Sequence, residues 1–158
     1  MTEVPPLPLL HRASLALSLA ARAYRTPVCF GTNAVLHQGD GSVILVRHRY
    51  MPGLCFPGGG VRAGEAPADA IVRELKEELG MMRAAAVDLF GLYTRKVGWT
   101  TNLVALYRVQ GAEIAFAPNL EILAIARVDP HAPPSDTSPA TRRRLAEIVG
   151  SSSISGYW

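Results

Sequence analysis

A chain of 158 residues and 17.0 kDa, 49% hydrophobic and 18% charged, has the size and balance of one globular domain with a sizeable core. Its formal net charge of +3 suits an anionic partner, a phosphate-bearing small molecule included, but does not by itself indicate nucleic acid. Two cysteines, Cys29 and Cys55, exclude a disulfide scaffold or a cysteine metal site and are expected as reduced thiols, small core hydrophobes of a cytosolic protein.

In chain order, "ASLALSLAA" followed by "ARA" imitates the apolar core and cleavage site of a secretory signal. Glu3 and three prolines stand where a basic leader would be, Arg22 interrupts the cleavage site, and the run falls far short of the ~20 residues of a membrane span. Leu10, Ala13, Leu17, Ala20 and Tyr24 recur at three and four residue intervals and predict one face of a helix. That face is expected to pack on the domain or on a partner subunit, so a homodimer is one expectation and a membrane-surface role a weaker one. No membrane span is predicted.

From Pro27, "VCFGTNAVLH", the turn "QGDGS" and the returning "VILVRH" predict a β-hairpin, with Gly39 and Gly41 available for positive φ. The segment "RYMPGLCFPGGG" is dense in proline and glycine and predicts a loop, a brief strand and a second loop. A helix follows, with no capping side chain at Ala66, Pro67 in its first turn and Gly80 just past its end. Strands are expected at about 86–95, 101–109 and 121–128, and Ser138, Pro139 and Gly150 frame a final helix.

The middle helix carries the chemistry. Glu74, Glu77 and Glu78 fall on one stripe, within about 60° of Glu74 at 100° per residue, beside an apolar arc of Ile71, Val72, Leu75 and Leu79. Like charges at these spacings cost a few tenths of a kcal/mol each, so a solvated surface gives no reason for the cluster. Hard oxygen ligands gathered this way suit Mg²⁺ or Mn²⁺, which removes the repulsion and binds substrate phosphates. "PGGG" before the helix lets backbone approach a ligand closely, and a carbonyl of Gly58 or Gly59 is a further candidate metal ligand.

Gly59, Glu65, Arg73, Glu74, Leu75, Glu77, Glu78, Gly80 and Met81 fill every fixed position of the Nudix box Gx5Ex7REUxEExGU, U being aliphatic. With the "FPGGG" lead-in and the order of elements, the chain resembles the Nudix hydrolases over roughly residues 27–150. The resemblance implies an α/β/α sandwich with a mixed sheet between helices. Residues 1–26 then form an N-terminal helical extension packed on the domain, 27–150 the Nudix domain and 151–158 a C-terminal tail. The implied activity is cleavage of a pyrophosphate linkage in a nucleoside diphosphate derivative by water, assisted by Mg²⁺ or Mn²⁺.

By the same resemblance Glu74, Glu77 and Glu78 are expected as metal ligands, one of them a candidate general base, while Glu65 and Arg73 give structural support. A later acidic residue often completes the family's site; Glu121 is the first candidate as ligand or base, and Glu113 the second. Arg47, His48, Arg49 and Tyr50 lie where positive charge and an aromatic face would meet phosphates and a base, and a strand end exposing polar groups is the alternative. Trp99 and Tyr93 are candidates to stack on a base or to fill the core or a dimer interface, and Arg142, Arg143 and Arg144 are expected on a solvated helix face. The expected substrate is a small nucleotide, such as a nucleotide sugar or nucleoside triphosphate, in the cytoplasm. The alternatives are a nucleotide-sensing regulator without turnover and an RNA 5′-end pyrophosphohydrolase; no basic stripe with interleaved aromatics encourages a nucleic-acid partner.

Overall fold

A computed structural model describes residues 9–25 and 27–158. The elements in chain order are α1 (Leu9–Arg25), β1 (Val28–His37), β2 (Val43–His48), β3 (Leu54–Cys55), β4 (Gly58–Gly60) and α2 (Pro67–Leu79). They continue with β5 (Met81–Arg83), β6 (Ala86–Val97), β7 (Thr100–Gln110), β8 (Glu113–Ile114), β9 (Ile122–Val128) and α3 (Pro139–Ile148). No described helix is long and apolar enough to cross a membrane.

The main sheet runs β3-β2-β1-β7-β6, with β4 added to β1 and β9 to β2. It is mixed: β1 runs parallel to β7, whereas β1–β2, β2–β9 and β6–β7 are antiparallel. The period-2 alternation of strands divides its side chains between two cores. Ala34, Leu36, Ile44, Val46 and Ala105 face Ile71, Leu75 and Leu79 of α2. Val35, Val43, Leu45 and Leu106 face the other way, onto Leu145 of α3. Burying each of the α2 leucines contributes about 1.5–3 kcal/mol, which fixes the rotation of α2 and hence the direction in which its glutamates point.

Both strands of the expected hairpin form, as do the three later strands and both expected domain helices. The glycine-rich segment differs from its expectation, because Gly58–Gly60 is itself a strand, paired with Gly31–Asn33 of β1. Gly58 has φ 138, and a Cβ there would lie 2.1 Å from the Thr32 carbonyl oxygen, so only glycine permits the approach. Strands β5 and β8 pair as a separate ribbon of two and three residues, too short to leave a periodic signal.

Helix α1 forms, and the stripe expected to pack, Leu10, Ala13, Leu17, Ala20 and Tyr24, is exposed in the single chain. Residues 1–8 of the expected extension, with Glu3 and its prolines, lie outside the described residues. The expectation of a solvated face for all three arginines of α3 is corrected at Arg144, which is buried at 1% exposure; Arg142 and Arg143 are exposed. Arg144 sits beside Leu145 on the inward side and has a buried partner, Glu147, at 2.7 Å.

Candidate active site

Helix α2 begins without a side-chain cap at Ala66, takes Pro67 in its first turn and stops at Gly80, whose left-handed backbone has φ 62. Along it, Arg73 uses all five N–H groups. It grips Glu65 at two points, 2.8 and 3.0 Å, and donates to the Gly60 carbonyl oxygen at 2.9 Å. It also donates to Glu74 at 2.7 Å and Glu77 at 3.2 Å. This one guanidinium ties the loop after β4 to the helix and aims two of the three carboxylates. Glu65 also accepts the Arg62 backbone N–H at 2.9 Å, and these donors hold its carboxyl at a pKa of about 2, Arg73 contributing most.

Glu74 lies against the glycine strand. A Cβ on Gly59 would come within 2.5 Å of the Glu74 carboxyl carbon, so the glycine leaves the carboxylate its place. Glu78 is buried at 4% exposure and accepts the Gly58 N–H at 2.8 Å. Burial pushes its carboxyl up to about 8 despite that bond, and the negative charges of Glu74, Glu121 and Glu77 push the same way. The four carboxylates therefore share one electrostatic environment, which a cation would relieve.

Glu121 joins them through a turn built by Asn119. The Asn119 amide donates to the Glu78 carbonyl oxygen at 3.0 Å and accepts from the N–H groups of Glu121 and Ile122 at 3.0 and 2.8 Å. Glu77, Glu78, Asn119 and Glu121 thus line one small cavity of about 230 Å³. In the sequence Asn119 is signalled only by "PNLE", an Asn able to hydrogen-bond the backbone two residues on. Glu113 stands elsewhere, on the separate ribbon, paired with Arg83.

The basic candidates are engaged by the protein itself. Arg47 pairs with Asp136, and Arg49 donates its side-chain Nε–H to the Asn119 carbonyl oxygen at 2.7 Å and its backbone N–H to that of Glu121 at 2.9 Å. Arg49 thereby holds the loop that carries Glu121. Tyr50 is largely exposed, with its ring 5.2 Å from that of His48, and the partial desolvation of its hydroxyl together with the charges of Glu121, Glu78 and Glu74 raises that group's pKa. His48 is buried, its Nδ1 has no partner among the described residues, and burial lowers its pKa against the opposing pull of Glu121. Tyr93 is a core residue donating its hydroxyl to Glu147, whereas Trp99 is exposed in the β6–β7 turn.

Beside the carboxylates, Gly58, Gly59 and Tyr50 open onto a cleft of about 690 Å³ on the α3 side of the sheet. As placed, no group of three or more His, Cys, Asp or Glu side chains among the described residues is gathered closely enough to hold a metal ion. The cause is visible: Arg73 draws Glu74 and Glu77 toward itself, and the Gly58 N–H holds Glu78. The donor set nevertheless fits a hard divalent cation. It is all oxygen, a glycine clears the space beside Glu74, and burial, with the negative charges of Glu74, Glu121 and Glu77 added to it, already disfavours an ionised Glu78 that a cation would stabilise.

The family model of the NUDIX domain matches residues 29–147. Among solved structures, the chain is similar to a MutT NUDIX hydrolase from Burkholderia pseudomallei, 21% identical, covering 77% of this chain and 98% of that one at a TM-score of 0.67. It is also similar to the E. coli ORF135 protein, 24% identical over 77% and 89% of the two chains with a TM-score of 0.64. A third is the E. coli dihydroneopterin triphosphate pyrophosphohydrolase, 19% identical over 78% and 96% with a TM-score of 0.61. At these identities the likeness speaks for the fold. The comparison with curated proteins found no match. The domain match across β1 to α3, the complete box and the mixed sheet between two helices agree, and the chain belongs to the Nudix hydrolase family.

Proposed function

We propose that the protein hydrolyses a pyrophosphate linkage in a small nucleoside diphosphate derivative, a nucleotide sugar or nucleoside triphosphate being the expected kind. The observation that carries this reading is that Glu74 and Glu78 lie against the Gly58–Gly59 backbone, with Glu77 and Glu121 beside Glu78, while the same glycines line a cleft large enough for a nucleotide. Nudix hydrolases generally need a divalent metal ion. Here Glu74, Glu77 and Glu78 would hold Mg²⁺ or Mn²⁺, with a Gly58 or Gly59 carbonyl available beside them. The ion supplies neutralisation of phosphate oxygens and a lowered water pKa.

The chain's own residues do the rest. Water attacks one phosphorus, a P–O bond forms, the bond to the bridging oxygen breaks, and the departing phosphate keeps the electron pair. A carboxylate of the cluster takes the water's proton and passes it to solvent. Glu121 suits that task, since its carboxylate has no hydrogen bond or ion pair among the described residues while its backbone is fixed by Asn119 and Arg49. Arg73 and Glu65 keep Glu74 and Glu77 aimed. Cys29 is exposed and Cys55 half-buried, so neither is the core residue expected, and their free thiols fit a reducing, cytoplasmic setting.

The test is a hydrolysis panel with Mg²⁺ or Mn²⁺ over nucleotide sugars, nucleoside triphosphates and triphosphorylated RNA, comparing wild type with Glu78→Gln. Turnover of a small nucleotide, lost in the folded variant, supports the proposal. Nucleotide-dependent thermal stabilisation with no hydrolysis of any panel member overturns it in favour of a sensor.

A further inference from the structure

The segment 151–158, which the box does not explain, is fastened by half-buried hydrogen bonds to a buried ion pair of α3. Arg144 and Glu147, at 1% and 2% side-chain exposure, pair at 2.7 Å. Glu147 accepts the Tyr93 hydroxyl at 2.8 Å and the Ser155 N–H at 3.1 Å, while Arg144 donates to Ser155 Oγ at 3.2 Å and to the Tyr157 carbonyl oxygen. The segment also pairs with the outer edge of β6: the Thr94 N–H donates to the Gly156 carbonyl oxygen at 2.9 Å, and the Trp158 N–H to that of Thr94 at 3.0 Å. Trp158 is thereby set edge-on to Tyr93, ring centroids 5.7 Å apart, with the Arg144 guanidinium near both rings. A surface tail has no need of a fully buried ion pair.

Trp158 lines the same cleft as Gly58–Gly60. The cleft crosses four neighbouring strands on the α3 side, from β4 over β1 and β7 to β6, where Gly31 and Asn33, Val104 and Asn102, and Arg95 point. Three inter-strand spacings of about 4.8 Å make that path about 14 Å long, an extended trough rather than a single contact point. Its β4 end adjoins the carboxylates. Its β6 end offers the Trp158 ring and two exposed guanidiniums, Arg95 and Arg143, with no hydrogen bond or ion pair among the described residues.

We infer that Trp158 is a substrate-contacting residue that receives the planar heteroaromatic base of a nucleotide, and that Arg144, Glu147 and Tyr93 are positioning residues that hold it there. This rests on the pyrophosphatase reading for what lies at the β4 end, and it assigns the base of that nucleotide to the β6 end of the cleft. Arg95 and Arg143, donors only, face the acceptor edge of that base.

The test uses Trp99→Phe protein, in which Trp158 is the sole tryptophan, titrated with AMP, GMP, UMP and ribose 5-phosphate in excess chelator, so that no turnover is needed. Nucleoside monophosphates are expected to quench Trp158 emission and ribose 5-phosphate to leave it unchanged. On the nucleotide that the hydrolysis panel identifies, Trp158→Ala should raise KM about 5- to 100-fold with kcat within about twofold, and Trp158→Phe should recover most of the loss. A merely structural tail would lower kcat and melting temperature and would not be rescued by phenylalanine in KM alone. Quenching without hydrolysis of any panel member upholds the base contact and fails the pyrophosphatase reading. Hydrolysis with unchanged Trp158 emission and unchanged KM in Trp158→Phe and Trp158→Ala overturns the base contact and leaves that reading standing.

Discussion

The buried Glu78 makes the metal-free protein lose stability as pH rises. Its pKa is raised from 4.5 to about 8, so between those values the folded chain holds a proton that the unfolded chain has released. A raised carboxyl is therefore penalised with increasing pH, and the penalty is complete only above about 8. From pH 7 to pH 8 the population factor falls from about 11 to about 2, a loss of about 1 kcal/mol, or about 2–4 °C in melting temperature for a domain of this size. The window lies above the ordinary histidine pKa, where the lowered pKa values of His37 and His48 have little left to contribute. Thermal unfolding in chelator at both pH values, for wild type and Glu78→Gln, reads the effect. Wild type should fall by a few degrees, the variant should be nearly flat and the more stable of the two at pH 8, and saturating Mg²⁺ should stabilise wild type more at pH 8. Identical slopes in the two proteins would refute the assignment of a buried, protonated Glu78.

The glycine strand separates two kinds of crowding. Gly58→Ala, with φ 138 and a Cβ 2.1 Å from a backbone oxygen, should cost about 3 kcal/mol or more in chemical denaturation. Gly59→Ala meets only the Glu74 carboxyl group, a side-chain end that can swing away, so stability should change by less than about 1 kcal/mol while kcat/KM falls about tenfold or more. Arg73→Lys removes the two-point grip on Glu65. The Glu65 carboxyl, which titrates at about 2, should then move up toward 4.5 in an NMR titration, and acid unfolding should begin at higher pH because its contribution is present above 4.5 and lost toward 2. Asn119→Ala leaves the Glu121 and Ile122 N–H groups without acceptors and should lower stability by about 1–3 kcal/mol, with turnover reduced further than the stability loss explains.

What the sequence disclosed was whatever depends on short range. Helical phase alone puts Glu74, Glu77 and Glu78 on one stripe, and the run of glycines at 58 and 59 marks close approach, although what approaches, the Thr32 carbonyl at Gly58 and the Glu74 carboxyl at Gly59, comes from β1 and α2. The nearness of Glu121 to Glu78 could be suspected only from the family, because it depends on the Asn119 amide bridging two elements far apart in the chain. Arg47 and Arg49 looked like phosphate binders, since nothing local revealed that Asp136 and the 119–121 loop would claim them. The burial of Arg144 is legible only in part: Glu147 lies one turn further along the same helix, but the carbonyl and hydroxyl oxygens that complete its environment come from the tail. The role of Trp158 was illegible because its neighbours come from β6, α3 and the cleft wall.

Binding of Mn²⁺ measured by electron paramagnetic resonance, with a nucleoside diphosphate analogue that resists hydrolysis, tests the central claim most directly. Wild type should take up the ion, more tightly with the nucleotide, and Glu74→Gln, Glu77→Gln and Glu78→Gln should each weaken it by about tenfold or more. Equal uptake by all four proteins, or none by wild type even with the nucleotide, would contradict the assignment of these carboxylates to a divalent cation.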